Sequence, residues 1–160
     1  MTTTTLPKEL ESQSVIRFPD CDPFNHLNNA RYIDYIINAR EDQLMSYYDF
    51  DVYKLAREQG LSWVVAQTQI AYLAPAELME IVTIQTRLTG FTDKALMVEA
   101  VMWNEAKTQI KAVMWTRLVH YNLRTRSGHK HSDELTQFFE SVVAPLPAPV
   151  SFEERVKSLR

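Results

Sequence analysis

The stretch FPDCDPFNHLNNARYIDYI, Phe18 to Ile36, crowds Asp20, Cys21, Asp22, Asn25, His26, Asn28 and Asn29 into the approach to a helix. The helical pattern follows at once: Ile33, Ile36, Ile37 and Leu44 fall on one face at near-3.6 spacing. Tyr32, Tyr35 and Ala39 make the neighbouring face apolar as well. A helix this apolar around its circumference is expected to be wrapped by other structure rather than to lie on a surface. Asn28 and Asn29 suit its start, because an Asn side chain can accept a hydrogen bond from an otherwise unpaired first-turn amide.

The elements outward of this helix define the fold class. Upstream, Ser12 to Phe18 reads as a short strand stopped by Pro19. Downstream, DVYKLAREQG reads as a second short helix closed by Gly60. From Leu61 the period changes to two. Val64, Ala66, Thr68, Ile70 and Tyr72 alternate with Val65, Gln67, Gln69, Ala71 and Leu73 until Pro75. Three more strands are expected, with Val82, Ile84, Thr86 and Leu88 on one face of the first. Leu96, Val98, Ala100 and Met102 share a face of the next, and Ile110, Ala112, Met114, Thr116 and Leu118 a face of the last. Their connections are short, so these three should be sequential antiparallel neighbours. SDELTQFFESVV is a helix with Ser132 as its cap, and Ser151 with Glu154 forms a capping box opening a short terminal helix. The expectation is an α+β domain, one antiparallel sheet wrapped around one long helix. One helix cannot cover both faces and both edges, so a second copy is expected at a face or an edge.

The chain has 160 residues and a formal net charge of −3. The length fits one domain with a sizeable core. The charge gives no general attraction to nucleic acid or anionic membranes, and no apolar run is long enough to span a bilayer. MTTTTLPKEL lacks the pattern of a secretory leader and reads as a mobile tail. A single cysteine excludes an internal disulfide and suits a reducing compartment, so a cytoplasmic location is expected. The division expected is a flexible tail over 1–11, one domain over 12–142, and a Pro-rich linker with a short helix over 143–160. With three glycines in the chain, Asn, Asp and Pro must fill most special backbone positions.

A loop of this composition at a helix N-terminus has a definite chemical use. The first amides of the helix are unpaired and carry the positive end of its dipole, so they can hold an oxygen that becomes negative. A carboxylate beside them can attack a carbonyl or activate a water, which is acyl-transfer chemistry. Asp22 is the candidate carboxylate and the Asn29 amide the candidate oxyanion donor. Asp20, nearer the strand, fits a role in ordering the loop. His26 either orients the carboxylate or water, or is a loop histidine bonded to backbone. Asn25 fits a positive-φ position where glycine would otherwise stand. Cys21 offers a rival thiol nucleophile, but alternation points it away from Asp22, and a lone cysteine is commonly a small buried hydrophobe. His120, His129 and His131 fit no compact zinc spacing, so no metal is expected.

The stretch RFPDCDPFNHLNNARYIDYIINARED resembles the hotdog-fold acyl-CoA thioesterases of the 4-hydroxybenzoyl-CoA thioesterase-like group. Their pattern reads D-x-D-x-x-G-H-[LV]-N-N-x-x-Y-[LI]-x-Y-x-x-x-A-R. Here it is met by Asp20, Asp22, His26, Leu27, Asn28, Asn29, Tyr32, Ile33, Tyr35, Ala39 and Arg40, with Asn25 where relatives have Gly. A weaker likeness continues through IAYLAPAELMEIVTI, so the resemblance covers Ser12 to Val142. It implies hydrolysis of an acyl-CoA to the free acid and CoA, with Asp22 as nucleophile or general base and no cofactor. It implies a homodimer or homotetramer whose site lies between subunits. Asn28, Tyr32, Gln67, Thr68, Gln69 and Lys94 are its expected substrate-side residues, Lys94 towards the CoA phosphates. The acyl chain is expected to run past Tyr32, Ile33 and Ile36. Plant acyl-carrier-protein thioesterases share part of the motif, but Pro75 replaces a carboxylate they carry. A carrier-protein thioesterase, a hotdog dehydratase and a non-catalytic acyl-CoA-binding protein are the alternatives.

Overall fold

A computed structural model describes residues 5–160. Of the tail expected over 1–11, residues 1–4 lie outside the described residues. The strands are β1 (Glu9–Val15), β2 (Leu61–Tyr72), β3 (Ile81–Phe91), β4 (Ala95–Asn104), β5 (Ile110–Asn122) and β6 (Ser127–Gly128). The helices are α1 (Tyr32–Tyr48), α2 (Val52–Gln59), α3 (Asp133–Val142) and α4 (Phe152–Leu159). The sheet runs β1-β3-β4-β5-β2, antiparallel throughout, with β6 paired to β5. The sequential β3-β4-β5 neighbours match the expectation from their short connections.

Helix α1 lies in the curl of the sheet. Its Tyr32, Ile36 and Ala39 pack with Val82, Ile84, Ala100, Met102, Ala112 and Met114 in one buried cluster. Fully burying such large apolar side chains stabilises the fold by about 1.5–3 kcal/mol each. Gln43 is also buried in this interface and fully used: its amide donates to Ser12 Oγ (2.8 Å) and Ile84 O (2.9 Å), and its oxygen accepts from Thr86 Oγ1 (2.6 Å). The helix ends where Asp49 turns left-handed (φ 53°), and its amide returns to Leu44 and Met45. Gly60 ends α2 at φ 68°, where a Cβ would also meet Arg124 Nε at 2.8 Å. Ser132 and Ser151 cap α3 and α4 as their sequences predict.

Three strand assignments differ from the periodicity reading. The first strand starts at Glu9 rather than Ser12, because Leu10 is completely buried and the flanking acids are paired: Glu9 with Arg87, Glu11 with Lys107. Residues 9–11 therefore belong to the domain, not to a tail. At its other end Pro19 bends Phe18–Asp20 into a 3-10 turn. A bulge at Ala66 moves the register from Val65↔Leu118 to Gln67↔Arg117. Trp63 and Val65, not Val64, therefore share the helix-facing row with Thr68 and Ile70. A second bulge at Lys111 sets Ile110 opposite Trp103, turning it to the outer face instead of the row with Ala112.

That outer face answers what α4 packs against. Phe152 and Val156 join Val101, Ile110 and Val113, with Trp103 and Trp115 alongside. Arg155 forms a bidentate pair with buried Glu99, both bonds 2.8 Å, and Trp115 Nε1 adds a third at 2.9 Å. Part of the surface expected to meet a second copy is thus covered by the chain itself. The sheet's two edge strands are β1 and β2, and on β2 Val64 and Val65 are 42% and 50% exposed.

Candidate active site

The Phe18–Asn29 loop is tied down on both sides. Leu27 N–H donates to Ala76 O (2.7 Å) and Leu78 N–H to Asn25 O (2.9 Å), strapping it to the segment before β3. Asn28 N–H donates to Asp20 O (2.9 Å). The Asp20 carboxylate accepts from Tyr35 Oη (2.6 Å), and that oxygen accepts from Arg17 N–H (3.0 Å). Asp20 therefore orders the loop against α1.

Asp22 sits at the tip of this scaffold, half-buried. Its Oδ1 accepts the amides of Phe24 (2.9 Å) and His26 (3.2 Å), while its own backbone bonds His26 O and Asn25 N–H. Oδ2 has no hydrogen-bond partner among the described residues. One oxygen thus fixes the carboxylate and the other is available for chemistry. The turn is possible because Asn25 takes φ 63°, the left-handed region where Asn replaces Gly.

The helix entrance lies beside it. Asn29–Arg31 form a 3-10 turn leading into α1. Asn28 caps it, its Oδ1 accepting from Ala30 N–H (3.0 Å), and Arg31 N–H returns to Asn28 O (2.8 Å). Asn29 N–H meets no acceptor among the described residues. Asn29 O is fixed by Tyr72 Oη (3.0 Å), and Tyr72 stacks edge-on to Tyr32 at 5.1 Å. The entrance therefore carries one unspent amide, on a residue whose carbonyl oxygen, in the next peptide, is held by a tyrosine from β2. Sequence reasoning missed Tyr72; its only signal was its place at the end of an alternating strand.

The remaining candidates scatter. His26 is half-buried and its ring makes no hydrogen bond among the described residues. The Cys21 thiol is pushed up by burial and then by the charges of Asp20 and Asp22, which disfavours the thiolate, and its Sγ leans on Arg17 O (3.4 Å). Tyr32 is buried, its hydroxyl accepting from Ala76 N–H (3.1 Å). Thr68 faces the helix side, opposite Thr116. Gln67 and Gln69 face outward, towards a groove under the 146–150 linker. Lys94 follows the far end of β3, about 30 Å along the strand from the loop at its near end.

His120 and His131 stack with Trp63 in the sheet interior. Trp63 Nε1 donates to His131 Nε2 (3.0 Å), and His120 Nδ1 bonds Ser62 O (2.9 Å). Burial pulls His120 down to about 4 and lowers His131 too, so both are neutral at pH 7.

Beyond Tyr32 a cavity of about 270 Å³ opens between the inner sheet face and α1, α2 and α3. Ile36, Leu44, Trp63, Leu96 and Met114 make much of its wall, and Arg40, Glu41, Ser62, Thr86 and Thr116 are its polar residues.

Residues 16–157 match the thioesterase-like superfamily. The chain belongs to that family. It is 27% identical over 134 residues to the long-chain acyl-CoA thioesterase FadM of Escherichia coli (strain K12), covering 84% of this chain and 99% of FadM. The solved structure of the probable thioesterase YbaW from Escherichia coli superposes with a TM-score of 0.71 at 27% identity, covering 84% of this chain and 99% of that one. SAV2348 from Staphylococcus aureus, solved in complex with CoA, has a TM-score of 0.76 at 12% identity, over 92% of this chain and 94% of that one. The fold is the hotdog fold that the motif implies. Among the described residues no helix is long and apolar enough to cross a membrane.

Proposed function

We propose that this chain is an acyl-CoA thioesterase that acts through Asp22 at the entrance of α1. The observation that carries the reading is the pairing of two unspent groups in one fixed loop: Asp22 Oδ2 and the Asn29 amide. Oδ2 either attacks the thioester carbonyl carbon or takes a proton from a water that attacks it. The carbonyl oxygen becomes an oxyanion and is held by Asn29 N–H, an interaction that lowers the barrier by roughly 2.7–4 kcal/mol in comparable sites. Collapse of the tetrahedral intermediate breaks the C–S bond and releases CoA as thiolate, which takes up a proton. If Asp22 is the nucleophile, a water then cleaves the mixed anhydride, releasing the free acid and regenerating the carboxylate. His26 stands on the same loop and orients the water or the carbonyl. Membership of the thioesterase-like superfamily and the likeness to FadM support the reaction class.

The exposed β2 edge supports a homodimer or homotetramer that pairs β2 with a second copy and brings Thr68 of one chain towards the site of the other. Lys94, remote from Asp22 in its own chain, would serve the CoA phosphates only across such an interface. A cytoplasmic location agrees with the acyl-CoA substrate. The test is release of free thiol from a panel of acyl-CoAs by the wild type and by Asp22→Asn, which keeps the Oδ1 acceptor that shapes the turn. No release from any thioester overturns the hydrolase reading. Full activity in Asp22→Asn overturns the site.

A further inference from the structure

Lys111 is a buried cation that the proposed hydrolysis does not use. It occupies the bulge near the start of β5, an irregularity that takes its side chain out of the regular strand alternation. Its backbone carbonyl accepts the amides of Leu73 (2.9 Å) and Ala74 (3.2 Å). Its ammonium donates to Pro75 O (3.0 Å) and pairs with Glu80 Oε2 at 3.1 Å. One side chain thus grips both ends of the segment 75–80 that straps down the Phe18–Asn29 loop. Glu80 closes the same segment on itself, its Oε1 accepting from Glu77 N–H (2.9 Å). Between them Met79 takes φ 65°, a left-handed conformation that a non-glycine residue keeps only when its surroundings hold it there. Stability alone does not require a cation at this place. A buried ion pair is commonly no better for a fold than apolar side chains of its volume, because both ions lose water.

We propose that Lys111 is a positioning residue of the thioester hydrolysis: bridged between Pro75 and Glu80, it holds the strap that aims Asp22 at the Asn29 amide. The path is short. Ala76, next to Pro75, accepts Leu27 N–H (2.7 Å) and gives its own N–H to Tyr32 Oη (3.1 Å) at the start of α1. Leu78 N–H reaches Asn25 O (2.9 Å). These bonds fall on either side of His26, whose backbone pairs with Glu77. His26 and Asn25 in turn bond the backbone of Asp22, and His26 N–H is one of the two amides that fix Asp22 Oδ1. Asp22 Oδ2 and the Asn29 amide therefore keep their relation only while the strap keeps its place. A shift of about 1 Å at a reacting group can cost about a hundredfold in rate, even when its origin is remote from the chemistry. The proposal rests on the thioesterase reading for the rate it raises, but the grip on the loop can be measured without turnover.

Lys111→Met nearly keeps the length of the side chain and removes its charge. With acyl-CoA thioesters it should lower kcat by about ten- to a hundredfold and leave KM within about twofold of the wild type. The loss should vanish in the Asp22→Asn background, because a residue that acts through Asp22 then has nothing left to position. Hydrogen exchange of the free full-length protein, followed by NMR, gives the readout without substrate. The Leu27 and Leu78 amides should exchange about tenfold or more faster in Lys111→Met, while the amides of β4 stay protected. Glu80→Gln, which keeps an oxygen for Glu77 N–H and removes the counter-charge, should shift both readouts the same way, and it decides alone should Lys111→Met not fold. A lower urea midpoint with kcat unchanged, or an equal loss in the Asp22→Asn background, overturns the positioning role. Unchanged exchange at Leu27 and Leu78 overturns the grip on the loop. Absence of thiol release by the wild type from any thioester overturns the thioesterase reading instead, and exchange then decides whether Lys111 holds the loop.

Discussion

Two arginines on opposite faces of one sheet are treated in opposite ways. Arg155, on the outer face, is locked to Glu99 by two hydrogen bonds, with Arg87 and Trp115 completing the set. Burial alone would push Glu99 up, but the bonds from Arg155 and Trp115 and the charges of Arg155 and Arg87 outweigh it and hold Glu99 low. Arg40, on the inner face, has one hydroxyl partner and no counter-charge. The outer cluster fastens α4 to the sheet. On the inner side, unspent groups recur at Asp22 Oδ2, Asn29 N–H, Arg40, Thr116 and His120 Nε2, and on the outer face Trp103 Nε1 is likewise buried without a partner. An unmatched polar group that lines a cavity or a helix entrance is a candidate contact for another molecule.

If that contrast is right, the two sides should fail differently. The largest effect is expected at Asp22. Asp22→Asn should lower kcat/KM by about a thousandfold or more, on the order of 4 kcal/mol, with an unchanged urea midpoint. Loss of stability instead would make Asp22 a loop residue. Glu99→Ala should do the reverse. Stranding Arg155 and Arg87 without their acid should cost about 3–5 kcal/mol in equilibrium unfolding, while kcat of the folded fraction stays as in the wild type. A fall in kcat there would break the division between faces.

The histidine stack sharpens the inner-side picture through pH. The unfolded chain takes up a proton on His120 near 6.5 and the folded chain only near 4, so the unfolded state binds more protons between these values. Stability from this group is complete above pH 6.5 and is lost as pH falls towards 4, on the order of 3 kcal/mol in all. Chemical denaturation at stepped pH reads it. His120→Phe should flatten most of that slope; His131, shifted the same way, accounts for the rest. The smallest effect is at Asn25. Asn25→Gly should be nearly neutral, and Asn25→Val should cost about 1–2 kcal/mol because a branched residue resists positive φ. A tolerant Asn25→Val would show that the turn around Asp22 is not rigid.

What was legible in the chain follows from how local the cause was. The helix entrance could be read because caps and a positive-φ asparagine act within a few residues: Asn28 caps and Asn25 takes φ 63°, whereas the strand ends at Val15, short of Pro19, which sits inside the following 3-10 turn. Register was not legible. The bulges at Ala66 and Lys111 depend on which strand lies opposite, and each reverses the faces of the residues beyond it. Trp63 and Val65 therefore joined the row of Thr68 and Ile70, and Ile110 left the row of Ala112. Tyr72 and Thr116 escaped notice for a similar reason, and Arg40 was read only as part of the motif. Each matters through a partner, or a missing partner, more than forty residues away or on another element.

By itself, then, the sequence determined an α+β domain with a sheet around one long helix and the polar loop before α1, since periodicity and capping are short-range properties of the chain, while its motif carried the likeness to the hotdog family. Only the tertiary structure decided that α4 closes the outer face, that β1 and β2 become the sheet's edges, and that Arg40 on an apolar helix faces a cavity without an ion pair among the described residues. Those outcomes depend on which surfaces meet across the sheet, and burial and pairing are set by neighbours distant in sequence.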